Sequence, residues 1–277
     1  MPLTLHQQRQ GDPTRTLTLR NKYAAAMKRR FGKVRADIKT SIVDNDAFGL
    51  GIRDLSFNQA AGERAFAFGT DAAKVEGFMN WLRVLVDQDI LEVISASGGR
   101  ITDHTRWQDA YIRTAYGKGV VDADTAMRKL GLDVPQLDLE RVFDQPIHAR
   151  RVELLFTRNF EELRGISQAM ANQISRALSQ GLVEGLGAAS LAKRLTDEVD
   201  GITKRRAVAL ARTEVIRASA ESRLTEFENL GVGSVVVEEG LEILTAGDDR
   251  VCSRCAALEG QIFTIAEARG VIPLHPA

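Results

Sequence analysis

The chain has 277 residues, 37 basic and 37 acidic, with 44% hydrophobic, 6% aromatic and two cysteine residues. That composition suits a soluble protein of one large or two modest domains, and no uncharged apolar stretch approaches the roughly 18 to 20 residues of a helical membrane span. Two cysteines cannot form a disulfide scaffold, and the first ten residues lack the apolar core of a secretion signal.

Zero net charge conceals an uneven distribution. Residues 1–40 hold ten basic and two acidic side chains, a surplus of eight positive charges. Residues 231–277 hold three basic and seven acidic side chains, a surplus of four negative charges. A basic head and an acidic tail imply different partners for the two ends. Arg20, Lys22, Lys28, Arg29, Arg30, Lys33 and Arg35 are the candidate contacts to nucleic acid through phosphates, or to an acidic protein surface; the alternative is a solvated basic helix.

Prolines stand only at positions 2, 13, 135, 146, 273 and 276. The two proline-free blocks between them suit long helices, and the 135–146 segment is the expected boundary. Residues 1–16 read as an arm. A basic helix is expected over about 18–43, then a loop over 44–62. Val75, Phe78, Met79, Leu82, Val86 and Val93 recur at helical spacing and predict a helix over about 63–95, stopped by Ser97-Gly98-Gly99. Shorter helices are expected near 104–116 and 122–130, the second closed by Gly131.

In the second block Val152, Phe156, Leu163, Ile166, Met170, Ile174, Leu178 and Leu182 mark a long helix over about 147–184. A short helix over 191–199 follows, N-capped by Ser190 and closed by Gly201, and another runs over about 203–230 to Gly231. After Gly231 the pattern turns β-branched. Strands are expected at 234–238, at 241–244 after a turn at Glu239-Gly240, and at 261–264. The expected fold is mainly α with a small C-terminal α+β module: long helices, then a short antiparallel β unit. The expected division is a helical N-terminal region, 1–146, and a second region, 147–277, whose β module occupies 231–277.

Two constellations carry the candidate chemistry. Cys252-Ser253-Arg254-Cys255 places two thiols on one turn, which suits tetrahedral zinc; two small buried hydrophobes and a thioredoxin-like redox pair are the alternatives. His275, between Pro273 and Pro276, supplies a third ligand or a hydrogen bond. The fourth ligand would come from Asp248, Asp249, water or a cysteine beyond Ala277. The second constellation is Ala211-Arg212-Thr213-Glu214. Thr213 falls on an apolar stripe with Ala209, Ile216, Ala220, Leu224 and Phe227, and Arg212 and Glu214 flank it. Asp248 and Asp249 are candidate partners for Arg212; the alternative is a solvated ion pair. Glu226-Phe227-Glu228 and Glu238-Glu239 have the form of ADP-ribosyltransferase carboxylate motifs, a spacing common on helices by chance. No glycine phosphate loop and no His-Glu-x-x-His sequence is present, and His6, His104, His148 and His275 enter no nucleophilic constellation.

Taken in order, these pieces resemble the phage minor head proteins of the Mu F-like head morphogenesis family. The resemblance rests on Ala211-Arg212-Thr213-Glu214-Val215-Ile216-Arg217-Ala218, the β segment after Gly231, the run from Asp249 to Phe263 around the two cysteines, and Ile272-Pro273-Leu274-His275-Pro276. It covers about 150–277. The family pattern continues after His-Pro with one residue, the place that Ala277 takes, and then Cys-Arg-Cys, so the expected zinc site is incomplete in this chain.

Membership implies a non-enzymatic structural protein of the virion, associated with the portal vertex and acting in head morphogenesis and DNA packaging or delivery. Its implied partners are the portal protein, the major capsid or scaffold protein and packaged DNA, with no membrane. Its implied location is the phage head, and the host cytoplasm during assembly. A Cys252–Cys255–His275 knuckle with zinc would staple the small β module, with Arg212, Thr213, Glu214, Asp248 and Asp249 as its brace. An ADP-ribosyltransferase-like or thiol-redox enzyme and a cellular zinc-binding DNA-associated protein are the alternatives from other classes.

Overall fold

A computed structural model describes residues 12, 14–50, 65–93, 106–231, 241–243, 245, 247, 251–269 and 271–274. The described chain is mainly helical, with one two-stranded antiparallel sheet near the C-terminus. In order come α1 (Leu17–Lys39), α2 (Asp71–Asp89), α3 (Asp109–Lys129), α4 (Leu139–Val142), α5 (Pro146–Val183), α6 (Ala188–Ile202) and α7 (Val208–Asn229). Then follow β1 (Leu241–Glu242), α8 (Ser253–Ala256), β2 (Ile262–Phe263) and α9 (Ile265–Ala268). Two π-helical turns, Thr40–Asp44 and Thr203–Ala207, follow α1 and α6. The expected strand at 234–238 and its following turn, the glycine stop near 98, and His6 and His104 lie outside the described residues.

The long helix expected at 147–184 is α5, and Leu163, Met170, Ile174 and Leu178 on its stripe are fully buried. It ends where the sequence puts a glycine. Gly185 takes φ +68°, its N–H bonds the Leu182 carbonyl, and the Leu186 N–H bonds the Gly181 carbonyl. Those are the two bonds of a Schellman cap. A Cβ at Gly181 would stand 2.6 Å from Cδ1 of buried Leu191, so a larger residue there would have to displace that side chain. Gly131 closes α3 by the same pair of bonds, at φ +76°.

Four boundaries differ from the expected ones. α2 starts at Asp71 because Thr70 caps it, its hydroxyl accepting the Ala73 N–H at 3.3 Å. The two helices expected over 104–130 are one. Gly117 and Gly119 do not interrupt α3; a Cβ on Gly119 would overlap Ser222 Oγ and the Ser219 carbonyl, so that glycine lets α3 approach α7. α6 starts at Ala188 with Gly187, not Ser190, at its N-cap. Gly201 does not end it, because buried Val199, Ile202 and Ala207 carry the apolar stripe on through the second π turn. A lone helical glycine costs about 1 kcal/mol, which packing on that stripe exceeds.

The chain forms two compact units, each drawing on both sides of the 135–146 segment. Unit 1 comprises Met1–Tyr23, Trp107–Asn159 and Leu210–Ala277. Its core includes Ile112, Tyr116 and Val120 of α3, Val152 and Leu155 of α5, and Val215, Ala218 and Phe227 of α7. Tyr23 is fully buried, stacks on Tyr111 at 4.6 Å and donates to Asn159 Oδ1 at 3.0 Å. Unit 2 comprises Ala24–Arg106 and Phe160–Ala209. There Phe48, Phe66, Phe78 and Trp81 form an aromatic cluster with ring centroids 5.2 to 5.9 Å apart. Arg30 and Lys33 of α1 tie to the end of α2 through Asp89 and Glu92.

Candidate functional site

The cysteine pair sits on the connection between the two strands. β1 and β2 pair with Leu241 opposite Phe263 and Glu242 opposite Ile262. The pairing is extended by Ile243 N–H to the Gln261 carbonyl and Gly260 N–H to the Ile243 carbonyl, both 3.0 Å. Gly260 takes φ +73° at the re-entry to β2. Within this connection Cys252 is extended and caps α8, its Sγ accepting the Cys255 N–H at 3.5 Å. The Cys252 sulfur thus lies over the first turn of α8 and interacts with the Cys255 thiol, so the two sulfurs are neighbours, and both cysteines are part-exposed. Burial raises the Cys255 thiol above its ordinary range, the Cys252 sulfur adds to that, and Arg254 opposes it.

A soft, paired sulfur set on one turn fits two positions of a tetrahedral zinc site. His275, Asp248 and Asp249 lie outside the described residues. Among the described residues no group of three or more His, Cys, Asp or Glu side chains is gathered for a metal ion.

The β unit is fastened to α7 from its far end. Thr264 and Glu267 form a capping box at α9: Glu267 Oε2 accepts from Thr264 N and Oγ1, and Thr264 Oγ1 accepts the Glu267 N–H. Those bonds hold the Glu267 carboxyl below its ordinary range. The next turn carries Arg269, whose guanidinium reaches Glu221 Oε2 at 2.9 Å, Thr225 Oγ1 at 3.5 Å and Glu228. Leu241 and Ile265 pack on a cluster of Ala123, Met127, Val134 and Phe227. Sequence reading missed Arg269 as a fastening. The Thr264-x-x-Glu267 box in front of it was the available signal.

The helix motif divides by face. Thr213 and Glu214 are buried and Arg212 is exposed. Glu214 Oε1 lies 3.4 Å from both Arg158 Nε of α5 and Arg217 Nε of α7. Burial raises the Glu214 carboxyl above its ordinary range, and Arg158 and Arg217 oppose the shift. Of the Glu-x-Glu pair, Glu226 is buried with Oε2 2.9 Å from His148 Nε2, and Glu228 holds Arg269. Tyr116 Oη lies 3.0 Å from His148 Nδ1, and burial pushes the Tyr116 hydroxyl above its ordinary range.

The seven basic candidates are dispersed among roles. Arg20 pairs with Asp12 at 2.8 Å, Arg30 with Glu92 at 2.6 Å, Lys33 with Asp89 at 2.6 Å and Arg35 with Asp200 at 3.1 Å. Lys22, Lys28 and Arg29 are exposed. No helix among the described residues is long and apolar enough to cross a membrane.

Residues 172–276 match the family model described as Phage Mu protein F like protein. No curated protein and no solved structure matches the chain. The matched span contains the last third of α5, all of α6 and α7, and the cysteine-bearing β unit.

Proposed function

We propose, from the Phage Mu protein F-like domain formed by residues 172–276, that the chain is a structural minor head protein of a tailed phage. It sits at the portal vertex and acts in head morphogenesis and in DNA packaging or delivery, with the portal and the capsid or scaffold proteins as its partners. The family match is the single observation that carries this reading. The packing is consistent with it: the carboxylates of the Glu-x-Glu pair are both spent on structural partners, His148 and Arg269. The domain is read as a rigid adaptor whose α7 carries a small, separately fastened β unit.

Zinc belongs to the same proposal. Cys252 and Cys255 would hold it with His275, and the metal would close the connection between β1 and β2, where a two-stranded sheet buries little apolar surface of its own.

The test is mass spectrometry of purified procapsids and mature heads, with gold labelling of the protein on intact particles. The expected result is a low-copy component localised to one vertex, and defective heads when its gene is disrupted. Absence from both particles, or an even distribution over the shell, would sink the reading.

A further inference from the structure

Unit 2 contains a cationic corner that the basic segment of α1 does not account for alone. The π turn Thr40–Asp44 packs against α6, and the π turn Thr203–Ala207 follows α6 directly. Arg35 Nε donates to Asp200 Oδ2 at 3.1 Å, which sets the exits of α1 and α6 side by side. Lys39 stands four residues beyond Arg35, and Lys204 four beyond Asp200, so each continues the face that its predecessor presents. Lys39, Lys204, Arg205 and Arg206 are all exposed.

The π turn has a physical consequence here. An α-helix fans three consecutive side chains over roughly 200°, whereas a π turn fans them over roughly 160°. Lys204, Arg205 and Arg206 therefore stay together on the outer half of the helix, while Thr203 and Ala207 on either side are buried. Arg205 Nε donates to the Gly201 carbonyl at 3.2 Å, which holds that guanidinium against the helix surface. Over 35–44 and 200–206 the basic residues are Arg35, Lys39, Lys204, Arg205 and Arg206 and the acidic ones are Asp37, Asp44 and Asp200, five against three, a surplus of two. Val43 is the one large exposed hydrophobic among these described residues. A protein interface centres on apolar and aromatic anchors, whereas a phosphate backbone asks for charge and N–H donors alone.

We propose that this corner, built from Lys39 and the Lys204–Arg206 turn beside the Arg35–Asp200 pair, binds the phosphate backbone of double-stranded DNA without reading its sequence. The choice of DNA rests on the phage-head reading above; the choice of surface does not. It places the contact at a junction of two helices that are distant in sequence, where three successive cations are exposed. Along 20–35, by contrast, four of the seven candidate cations already hold carboxylates.

The test titrates the full-length protein and a K204Q/R205Q/R206Q variant against a fluorescent random-sequence duplex over a series of salt concentrations, with matched melting curves as the folding control. The wild type should bind duplexes of unrelated sequence alike and weaken steeply with salt. The triple variant should bind about tenfold or more weakly at low salt, with a log–log salt slope flatter by roughly 2 to 3. A K39Q/K204Q pair, two exposed side chains, serves if the triple variant does not fold, and should flatten the slope by roughly 2. An unchanged slope in the folded variant overturns the assignment. So does stronger binding to poly-glutamate than to duplex, which makes the corner a protein-docking surface. Loss of the wild-type protein from phage heads would remove the phage-head reading, and the duplex titration would still decide the corner.

Discussion

His148 Nε2 on α5 lies 2.9 Å from Glu226 Oε2 on α7, and both side chains are buried. Tyr116 on α3 reaches the other ring nitrogen, Nδ1, at 3.0 Å. One imidazole thus links the three helices that form the core of unit 1. Removing a single member of a buried polar pair leaves the other's polar atoms unsatisfied, at a cost of about 1 to 3 kcal/mol. Glu226→Ala and His148→Ala are each expected to destabilise the protein by that order in urea melts. The double variant should cost less than the sum of the two. Additive losses would mean that the two side chains are not coupled.

Two glycines on helices should respond to alanine with opposite signs. At Gly119 a Cβ would overlap Ser222 Oγ and the Ser219 carbonyl, so α3 and α7 must separate. Gly119→Ala should cost about 1 to 3 kcal/mol through overpacking, despite alanine's better helix propensity. At Gly165 on α5 nothing stands within 4 Å of the added atom. Gly165→Ala should stabilise by up to about 1 kcal/mol. Denaturant midpoints for the two variants check this directly, and equal signs would reject the close-approach account of Gly119.

Most of the helical scaffold was legible, because an apolar stripe at helical spacing is forced by burial on one side. The α5 stripe from Val152 to Leu182 reads straight off the sequence, and its end at Gly185 follows from the left-handed backbone that only glycine adopts cheaply. Gly201 was misleading as a stop, and the expected gap between 116 and 122, which holds Gly117 and Gly119, proved to be continuous helix. A glycine in a sequence shows that a side chain is absent, not whether the absence serves a break or a close contact. The π turns gave no signal, since an extra residue within an unbroken apolar stripe changes no residue type. The cysteine pair was legible as a motif. Arg269 was not, because its partners Glu221 and Glu228 lie more than forty residues away in sequence.

Glu214 should make stability fall as pH rises from the acid side. Its folded-state carboxyl is held above the ordinary value of 4.5, chiefly by burial, so folding favours the protonated form. That contribution is fully present below the unfolded value and is lost as pH climbs through the raised folded value. Glu214→Gln keeps the shape, removes the titration and should flatten the pH dependence of the urea midpoint on the alkaline side of the ordinary carboxyl value of 4.5. An identical pH dependence in the variant would show that Arg158 and Arg217 fully offset the burial.

Arg269 and Arg212 should differ sharply under alanine substitution. Arg269 is largely shielded and bonds two carboxylates of α7, Glu221 and Glu228. Hydrogen bonds between charged groups contribute about 1.5 to 3 kcal/mol. Arg269→Ala should therefore speed amide exchange at Ile243 and Gly260, whose bonds lie within the β unit, and leave the amides of α3 unchanged. Arg212 is exposed, and its effect depends on whether it braces the loop carrying Asp248 and Asp249. If it does, Arg212→Ala speeds exchange at the same two amides; if exchange is unaffected, Arg212 is a surface charge and the brace is discarded.

The proposed zinc should act on that same β unit by a different route. Cys252 and Cys255 sit between β1 and β2, so a metal held there with His275 would close the connection independently of Arg269. Elemental analysis of full-length protein purified without chelator should find about one zinc per chain, and Cys252→Ser with Cys255→Ser should remove it. A structural metal binds the folded state, so chelation should lower the melting temperature of the wild type and leave the double variant unmoved. If wild type and variant carry no zinc and melt alike with and without chelator, the two thiols are packing groups and Arg269 with the Phe227 cluster holds the unit unaided.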